Sequence, residues 1–149
     1  MTEFIHRDRE EADLATQDQE AGLLYEMQQL LDAPPEQEDR ERLAVIVDDM
    51  FALLPLRFEF DDCEGYLHEV TEEFPNWDGQ VQALFMEQAL LYEQLRDIRG
   101  ELHQAEDSMR MRTATLHWLK VWTECLLLHQ AEERRLRQIA VNFDPGGQD

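Results

Sequence analysis

The sequence predicts an all-α protein, an antiparallel up-down four-helix bundle that forms a single domain over residues 1–149. The chain holds only 6 Gly and 5 Pro, and residues that favour helices, such as Leu, Glu, Gln and Ala, are abundant. Apolar residues recur at steps of three and four, which is the spacing of one face of a helix. Short breaks separate these stretches, so neighbouring helices are expected to run antiparallel.

Charge limits the classes of partner. The formal net charge is −21, from 34 acidic and 13 basic residues. Nucleic acids and anionic membranes both require a basic face, so neither is expected as a partner. The acidic surface is interpreted as one that keeps the protein in solution, with docking of a basic partner as the alternative. A protein partner or a homodimer stays open.

Location is predicted from what the sequence lacks. The N-terminal residues do not show the basic and apolar regions of a secretory signal, and no apolar run reaches membrane-spanning length. A cytoplasmic protein is therefore expected. Cys63 and Cys125 belong to no CxxC pair, so reduced thiols are expected, with a disulfide between neighbouring helices as the alternative.

The first two helices are separated by prolines. Residues 1–16 are charged and weakly patterned, so they either fray or lead into a first helix that is clearest over 17–32. Pro34 and Pro35 end this helix, because proline cannot continue the backbone hydrogen bonds. The second helix begins near Glu36 and is expected to end around Glu73, with a kink or break at Pro55. The apolar seam of the second helix, meaning its row of core-facing positions, is Leu43, Ile46, Met50, Leu53, Arg57, Phe60, Glu64 and Leu67.

The third and fourth helices show the same spacing. Asn76 is the expected N-cap of the third helix, which Gly100 weakens without ending. The fourth helix is expected over 113–141, followed by a non-helical tail over 142–149. The third seam is Val81, Leu84, Gln88, Leu91, Leu95, Ile98 and Leu102; the fourth is Leu119, Trp122, Leu126, His129, Glu133, Leu136 and Ala140.

Polar residues interrupt three of these seams near their middles. Arg57, Gln88 and His129 lie at similar depth in their helices, and Asp61 and Glu133 follow Arg57 and His129 by one turn. Polar groups removed from water require partners. The five residues are therefore predicted to form one central polar layer inside the bundle.

Four stretches carry a resemblance to a known family: RFEFDDCEGYL at 57–67, FMEQALL at 85–91, LHQAEE at 128–133 and DPGGQD at 144–149. In these stretches the chain resembles the hemerythrin-like (HHE cation-binding) family over nearly its whole length. The resemblance implies a four-helix bundle. It also implies a non-haem di-iron centre between the helices, which handles oxygen, nitric oxide or iron itself.

Most of the ligands that the resemblance implies are replaced. Alignment places Ala21, Arg57 and Gln88 where the family has histidines, whereas His129 retains the histidine of the fourth helix. The carboxylate that should follow falls on Arg134, with Glu133 one residue earlier. A guanidinium is always charged and has no acceptor atom, so it cannot bind a metal. The resemblance therefore supports the fold and argues against the activity.

The expected function is non-enzymatic. The chain is interpreted as a bundle that has lost its di-iron site, holds no cofactor, and acts as a structural, interaction or regulatory module. The alternative is a cation-binding protein for iron, oxygen or nitric oxide that uses His129, Asp61 and Glu133. Arg57 has two interpretations: it points inward and replaces the metal cation, or it extends outward past Pro55 to solvent.

Overall fold

A computed structural model describes residues 2–59, 75–104 and 113–142. Within these ranges the chain forms four α-helices and no strand: α1 (Thr2–Leu31), α2 (Gln37–Glu59), α3 (Asp78–Gln104) and α4 (Thr113–Asn142). A short 3₁₀ helix, Pro75–Trp77, precedes α3. The predicted all-α four-helix architecture is confirmed. None of the described helices combines the length and the hydropathy that a membrane-spanning segment requires.

The four helices pack as a closed ring in the order α1, α2, α3, α4, with α4 returning to α1. In each neighbouring pair, residues early in one helix meet residues late in the other, so the neighbours run antiparallel. The contacts that establish this direction are Glu20–Arg57 and Glu26–Arg42, Asp48–Arg99 and Phe51–Tyr92, Gln80–Arg135 and Leu91–Trp122, and Asp13–Arg137 and Met27–Thr123.

The core follows the predicted seams. Each large apolar side chain removed from water contributes about 1.5–3 kcal/mol before the entropic costs of folding. Trp122, which is 1% exposed, donates a hydrogen bond from Nε1 to the carbonyl oxygen of Leu91 at 2.9 Å and so joins α4 to α3. The main core cluster consists of Leu24, Met27, Leu43, Ile46, Val47, Met50, Leu54, Leu91, Leu95, Ile98, Leu119, Trp122 and Leu126.

Three predictions about the helix boundaries can be resolved. Residues 2–16 are part of α1, so of the two alternatives the one in which they lead into the first helix is correct. The second helix is not broken at Pro55, which lies on the exposed side of α2, where water can reach the carbonyl deprived of its hydrogen bond. The third helix starts at Asp78, so Asn76 lies in the 3₁₀ turn and not at the cap.

Two other predictions about the helices are confirmed. Gly100 lies inside α3 without ending it, and α4 begins at Thr113 as expected. Cys125 is a free, exposed thiol. The expected end of the second helix near Glu73, the seam positions Phe60, Glu64 and Leu67, Cys63, and the tail beyond Asn142 lie outside the described residues.

A cluster of polar and aromatic side chains connects α2 to α3 on the outside of the bundle. Asp48 Oδ1 accepts a hydrogen bond from Arg99 Nε at 2.7 Å and lies 2.8 Å from His103 Nε2. Partial burial raises the pKa of Asp48, but the hydrogen bonds from His103 and Arg99 outweigh it and hold that pKa below its ordinary value. The rings of Phe51 and Tyr92 stack beside this cluster with centroids 4.7 Å apart.

Candidate functional site

The centre of the bundle is ionic. Arg57 lies on the apolar seam of α2, after Leu53 and Leu54, and is only 5% exposed. Its guanidinium lies 3.3 Å from Asp13 Oδ1 and 3.2 Å from Glu20 Oε2, both on α1. It also donates a hydrogen bond to Glu133 of α4. One side chain of α2 therefore binds carboxylates of two other helices.

A second guanidinium shares two of these carboxylates. Arg137 Nη1 lies 3.2 Å from Asp13 Oδ2, and Nη2 lies 3.5 Å from Glu133 Oε1. Asp13 and Glu133 thus each lie between two positive charges. We call Asp13, Glu20, Arg57, Glu133 and Arg137 the ionic layer. Charges inside a protein require such partners, because removing an ion from water is costly.

Glutamine side chains complete the surroundings of the α1 carboxylates. Gln17 Nε2 donates to Asp13 Oδ2 at 3.2 Å, and Gln130 of α4 donates to Glu20 Oε1. Glu20 is 2% exposed and Asp13 is 7% exposed. Asp13 and Glu20 face inward because they lie on the same face of α1 as the core residues Leu24 and Met27. Positions 13, 17, 20, 24 and 27 are separated by alternating steps of four and three, which is the spacing of one helix face.

His129 adjoins the ionic layer. It is 1% exposed, and its Nδ1 lies 2.6 Å from Oε1 of Glu87, whose side chain is half exposed. The other ring nitrogen, Nε2, is buried without a hydrogen-bond partner among the described residues and lies 3.9 Å from Glu133 Oε2. The ring of Phe58 meets His129 edge-on at 5.9 Å.

The structure places four of the five predicted polar-layer residues inside the bundle. Arg57, Gln88, His129 and Glu133 are all buried. Arg57 and Glu133 are in contact, and His129 lies beside Glu133. The inward interpretation of Arg57 is therefore correct, and the outward one is wrong. Asp61 lies outside the described residues.

Sequence reasoning missed Asp13 and Glu20, the two carboxylates that α1 contributes. It placed Ala21 at the family's histidine position, but Ala21 is exposed and its neighbour Glu20 faces the core. The missed signal was the spacing: counting back from Met27 and Leu24 in steps of three and four reaches Glu20, Gln17 and Asp13. These positions were overlooked because they carry polar residues, which do not register as an apolar stripe.

The described residues do not fit a di-iron centre. Three carboxylates that could ligate iron, Asp13, Glu20 and Glu133, instead face the guanidinium of Arg57, which has no lone pair to offer a metal. No group of three or more His, Cys, Asp or Glu side chains within the described ranges could hold a metal ion. The arrangement can balance buried charge and join α1, α2 and α4.

The comparisons with known proteins add no relative. No protein-family model matches the chain. Searches of curated proteins and of solved structures find no match either. The relation to the hemerythrin-like family therefore remains a resemblance carried by the residues themselves.

Proposed function

We propose that this protein is a non-enzymatic, hemerythrin-like bundle in which Arg57 takes the place of a di-iron centre. Without a cofactor to react with oxygen or nitric oxide, it serves as a structural, interaction or regulatory module of the cytoplasm. The observation that supports this most is the buried contact of Arg57 with Glu20 and Glu133.

The positive charge of Arg57 disfavours a metal ion at the same place. An iron ion between the helices of such a bundle neutralises the carboxylates that hold it. Here a permanent positive charge is already among the carboxylates, on a side chain that does not deprotonate in proteins. A ferrous ion entering the same carboxylates would be repelled by Arg57 at short range. The layer is thus stable without an external cation and poorly suited to one.

Iron loading tests this proposal. The purified full chain is incubated with ferrous iron without oxygen, exposed to air, desalted, and analysed for metal content and for oxo-bridged charge-transfer absorption. The expected result is iron well below one equivalent and no such bands. An Arg57→His variant, which restores the residue type of the resembled family, shows whether the guanidinium is the obstacle. About two irons retained per wild-type chain would contradict the proposal.

A second candidate function is weak cation binding at His129, Asp61 and Glu133. The observation that favours it is the buried Nε2 of His129, which lies 3.9 Å from Glu133 Oε2 and lacks a hydrogen-bond partner in the described part of the chain. Calorimetric titration with Zn²⁺ and Fe²⁺ distinguishes the two functions. Binding of about one ion per chain that His129→Ala and Glu133→Gln both abolish would favour this candidate.

A further inference from the structure

The outside of α3 and α4 is apolar near the middle of both helices. Met86 and Leu90 of α3 are 73% and 53% exposed, and Val121 and Leu128 of α4 are 40% and 72% exposed. Cys125, also exposed, lies one turn after Val121. Within each helix these residues are separated by three or four positions, so they follow one side of it. We call the five residues the α3–α4 face.

Both helices are depleted in charge at this depth. Residues 79–92 of α3 include a single acidic or basic residue, Glu87, and residues 121–131 of α4 include only Glu124 besides a histidine. In the whole chain 32% of the residues are Asp, Glu, Lys or Arg. The core of a protein–protein interface is depleted in charge in the same way and is enriched in Met. A helix that is apolar on its outer side as well as its inner side is normally buried on both. The composition therefore indicates that another protein surface covers this face.

The outer surface of α3 and α4 has the size of a dimer interface. These helices contain 27 and 30 residues, so at a rise of about 1.5 Å per residue the surface is about 40 Å long. Two adjacent helices are together about 20 Å wide. The resulting area of roughly 800 Å² is close to what each partner buries in a stable complex of standard size. An apolar centre with a polar rim is also the usual arrangement of such an interface.

Met86 and Leu128 lie at the same level along the bundle. Glu87 Oε1 of α3 lies 2.6 Å from His129 Nδ1 of α4, and Met86 and Leu128 each precede one of these two residues. A two-fold axis that runs along the groove between α3 and α4 places α3 of one copy on α4 of the other without changing the level. Met86 of each copy then meets Leu128 of the other, so the most exposed apolar side chains of the face are self-complementary.

The rim of the face carries opposite charges that the same axis brings together. Trp122 donates a hydrogen bond to the carbonyl oxygen of Leu91. Glu93, two residues further along α3, therefore lies close to the level of Lys120, two residues earlier on the antiparallel α4. Both side chains are exposed. Lys120 is the single lysine of the chain, and within the described ranges it makes no ion pair, although Glu124 is one turn away. The two-fold axis places Lys120 of each copy beside Glu93 of the other.

We propose that a second copy of this chain covers the α3–α4 face, with Met86 of each copy against Leu128 of the other and Lys120 beside Glu93. This rests on the proposed role as an interaction module and assigns its partner. The net charge of −21 opposes the association of two copies, and the charge-depleted face is where they approach with least repulsion. At physiological ionic strength, exposed charges more than about 8 Å apart are largely screened. The apolar contact and the two Glu–Lys pairs then decide the association.

Sedimentation equilibrium of the full chain tests the proposal, at about 0.15 M salt and with a reductant that keeps Cys63 and Cys125 as thiols. The expected result is a dimer that predominates at about 100 μM. Leu128→Glu is expected to raise the Kd of the dimer at least about tenfold, because it places an acid in the apolar centre. Leu56→Glu, at an exposed leucine of α2 outside the face, changes the net charge equally and is expected to leave the Kd within about twofold.

An exchange of charges tests the contact between Lys120 and Glu93. Lys120→Glu is expected to weaken the dimer at least about tenfold, and adding Glu93→Lys to it is expected to restore the Kd to within about threefold of wild type. Circular dichroism confirms that each variant folds. A carbodiimide, which joins an amine to a carboxylate without a spacer, gives a second measurement on the wild type. In an equal mixture of isotope-labelled and unlabelled chains, mass spectrometry is expected to find Lys120 of one copy joined to Glu93 of the other.

Three outcomes would overturn the inference. The first is a monomer at about 100 μM. The second is equal weakening of the dimer by Leu128→Glu and Leu56→Glu, which would indicate general charge repulsion or a different face. The third is failure of Glu93→Lys to restore the Lys120→Glu variant, because the copies would then meet in another arrangement. None of these bears on iron content, so the dimer can fail while the proposed loss of the metal site stands.

Discussion

Arg57 Nε lies 3.2 Å from Glu20 Oε2, and both side chains are almost completely buried. This contact joins a cation near the end of α2 to an acid in the middle of α1. Each residue would be costly to bury alone, so each accounts for the presence of the other. The pair joins α1 to α2 inside the bundle.

The first prediction concerns Asp13, which shows that the beginning of α1 belongs to the bundle. Asp13→Asn removes a carboxylate that lies between Arg57 and Arg137. We expect the free energy of unfolding in urea to fall by about 1–3 kcal/mol, because the buried guanidinium of Arg57 and the partly buried one of Arg137 both lose a charged acceptor. Asp18→Asn, at an exposed site of the same helix, should change it by less than about 0.5 kcal/mol. Equal losses of stability for Asp13→Asn and Asp18→Asn would contradict a stabilising role of Asp13 in the ionic layer.

The second prediction concerns pH and Asp48. Its pKa is lowered in the folded state, so the unfolded chain binds a proton there at higher pH than the native chain. The contribution of Asp48 is therefore complete above its ordinary pKa of 3.8 and is lost as the pH falls below that value. Because the carboxylate is more than a third exposed, Asp48→Asn should cost at most about 1 kcal/mol at neutral pH.

Urea unfolding of wild type and Asp48→Asn over a range of pH measures this contribution. The difference between the two proteins should be constant at neutral pH and shrink towards the most acidic conditions in which both still fold. Asp97→Asn, an exposed acid of α3, controls for the change in net charge. A difference that grows as the pH falls below 3.8 would contradict the assigned direction.

The third prediction concerns Gly22, which lies inside α1. Gly22→Ala should raise the free energy of unfolding by about 0.5–1 kcal/mol, because the helix gains a better helix former and the added Cβ meets no atom. Thermal and urea unfolding measure it, with Gly100→Ala as a second helical glycine that has the same open space. A loss of stability at Gly22 alone would mean that the fold requires glycine there.

The sequence predicted α2, α3 and α4 well because their core positions are mainly apolar. Leu43, Ile46 and Met50 of α2 are buried as expected, as are Leu91 and Leu95 of α3. A few polar residues within a long apolar row still mark the inward face, so Arg57, Gln88, His129 and Glu133 could be recognised from spacing alone.

Prediction failed at the start of α1 because the inward face there is polar. Asp13 and Glu20 are core-facing, yet they resemble the acidic residues around them in a chain of net charge −21. The spacing counted back from Met27 and Leu24 reaches both positions, and the buried charge of Arg57 explains why acids lie there. The partnership with Glu133 could be predicted, because Glu133 continues an apolar seam.

The most direct test of the central account is the coupling between Arg57 and Glu133. Urea unfolding compares wild type with Arg57→Met, Glu133→Gln and the double variant. Arg57→Met keeps much of the apolar stem and should cost about 3–5 kcal/mol, because buried carboxylates lose their cation. Adding Glu133→Gln should recover part of this loss, with a coupling energy of at least about 1 kcal/mol. A loss below about 1 kcal/mol for Arg57→Met, or strictly additive effects, would contradict an internal cation that holds the bundle together.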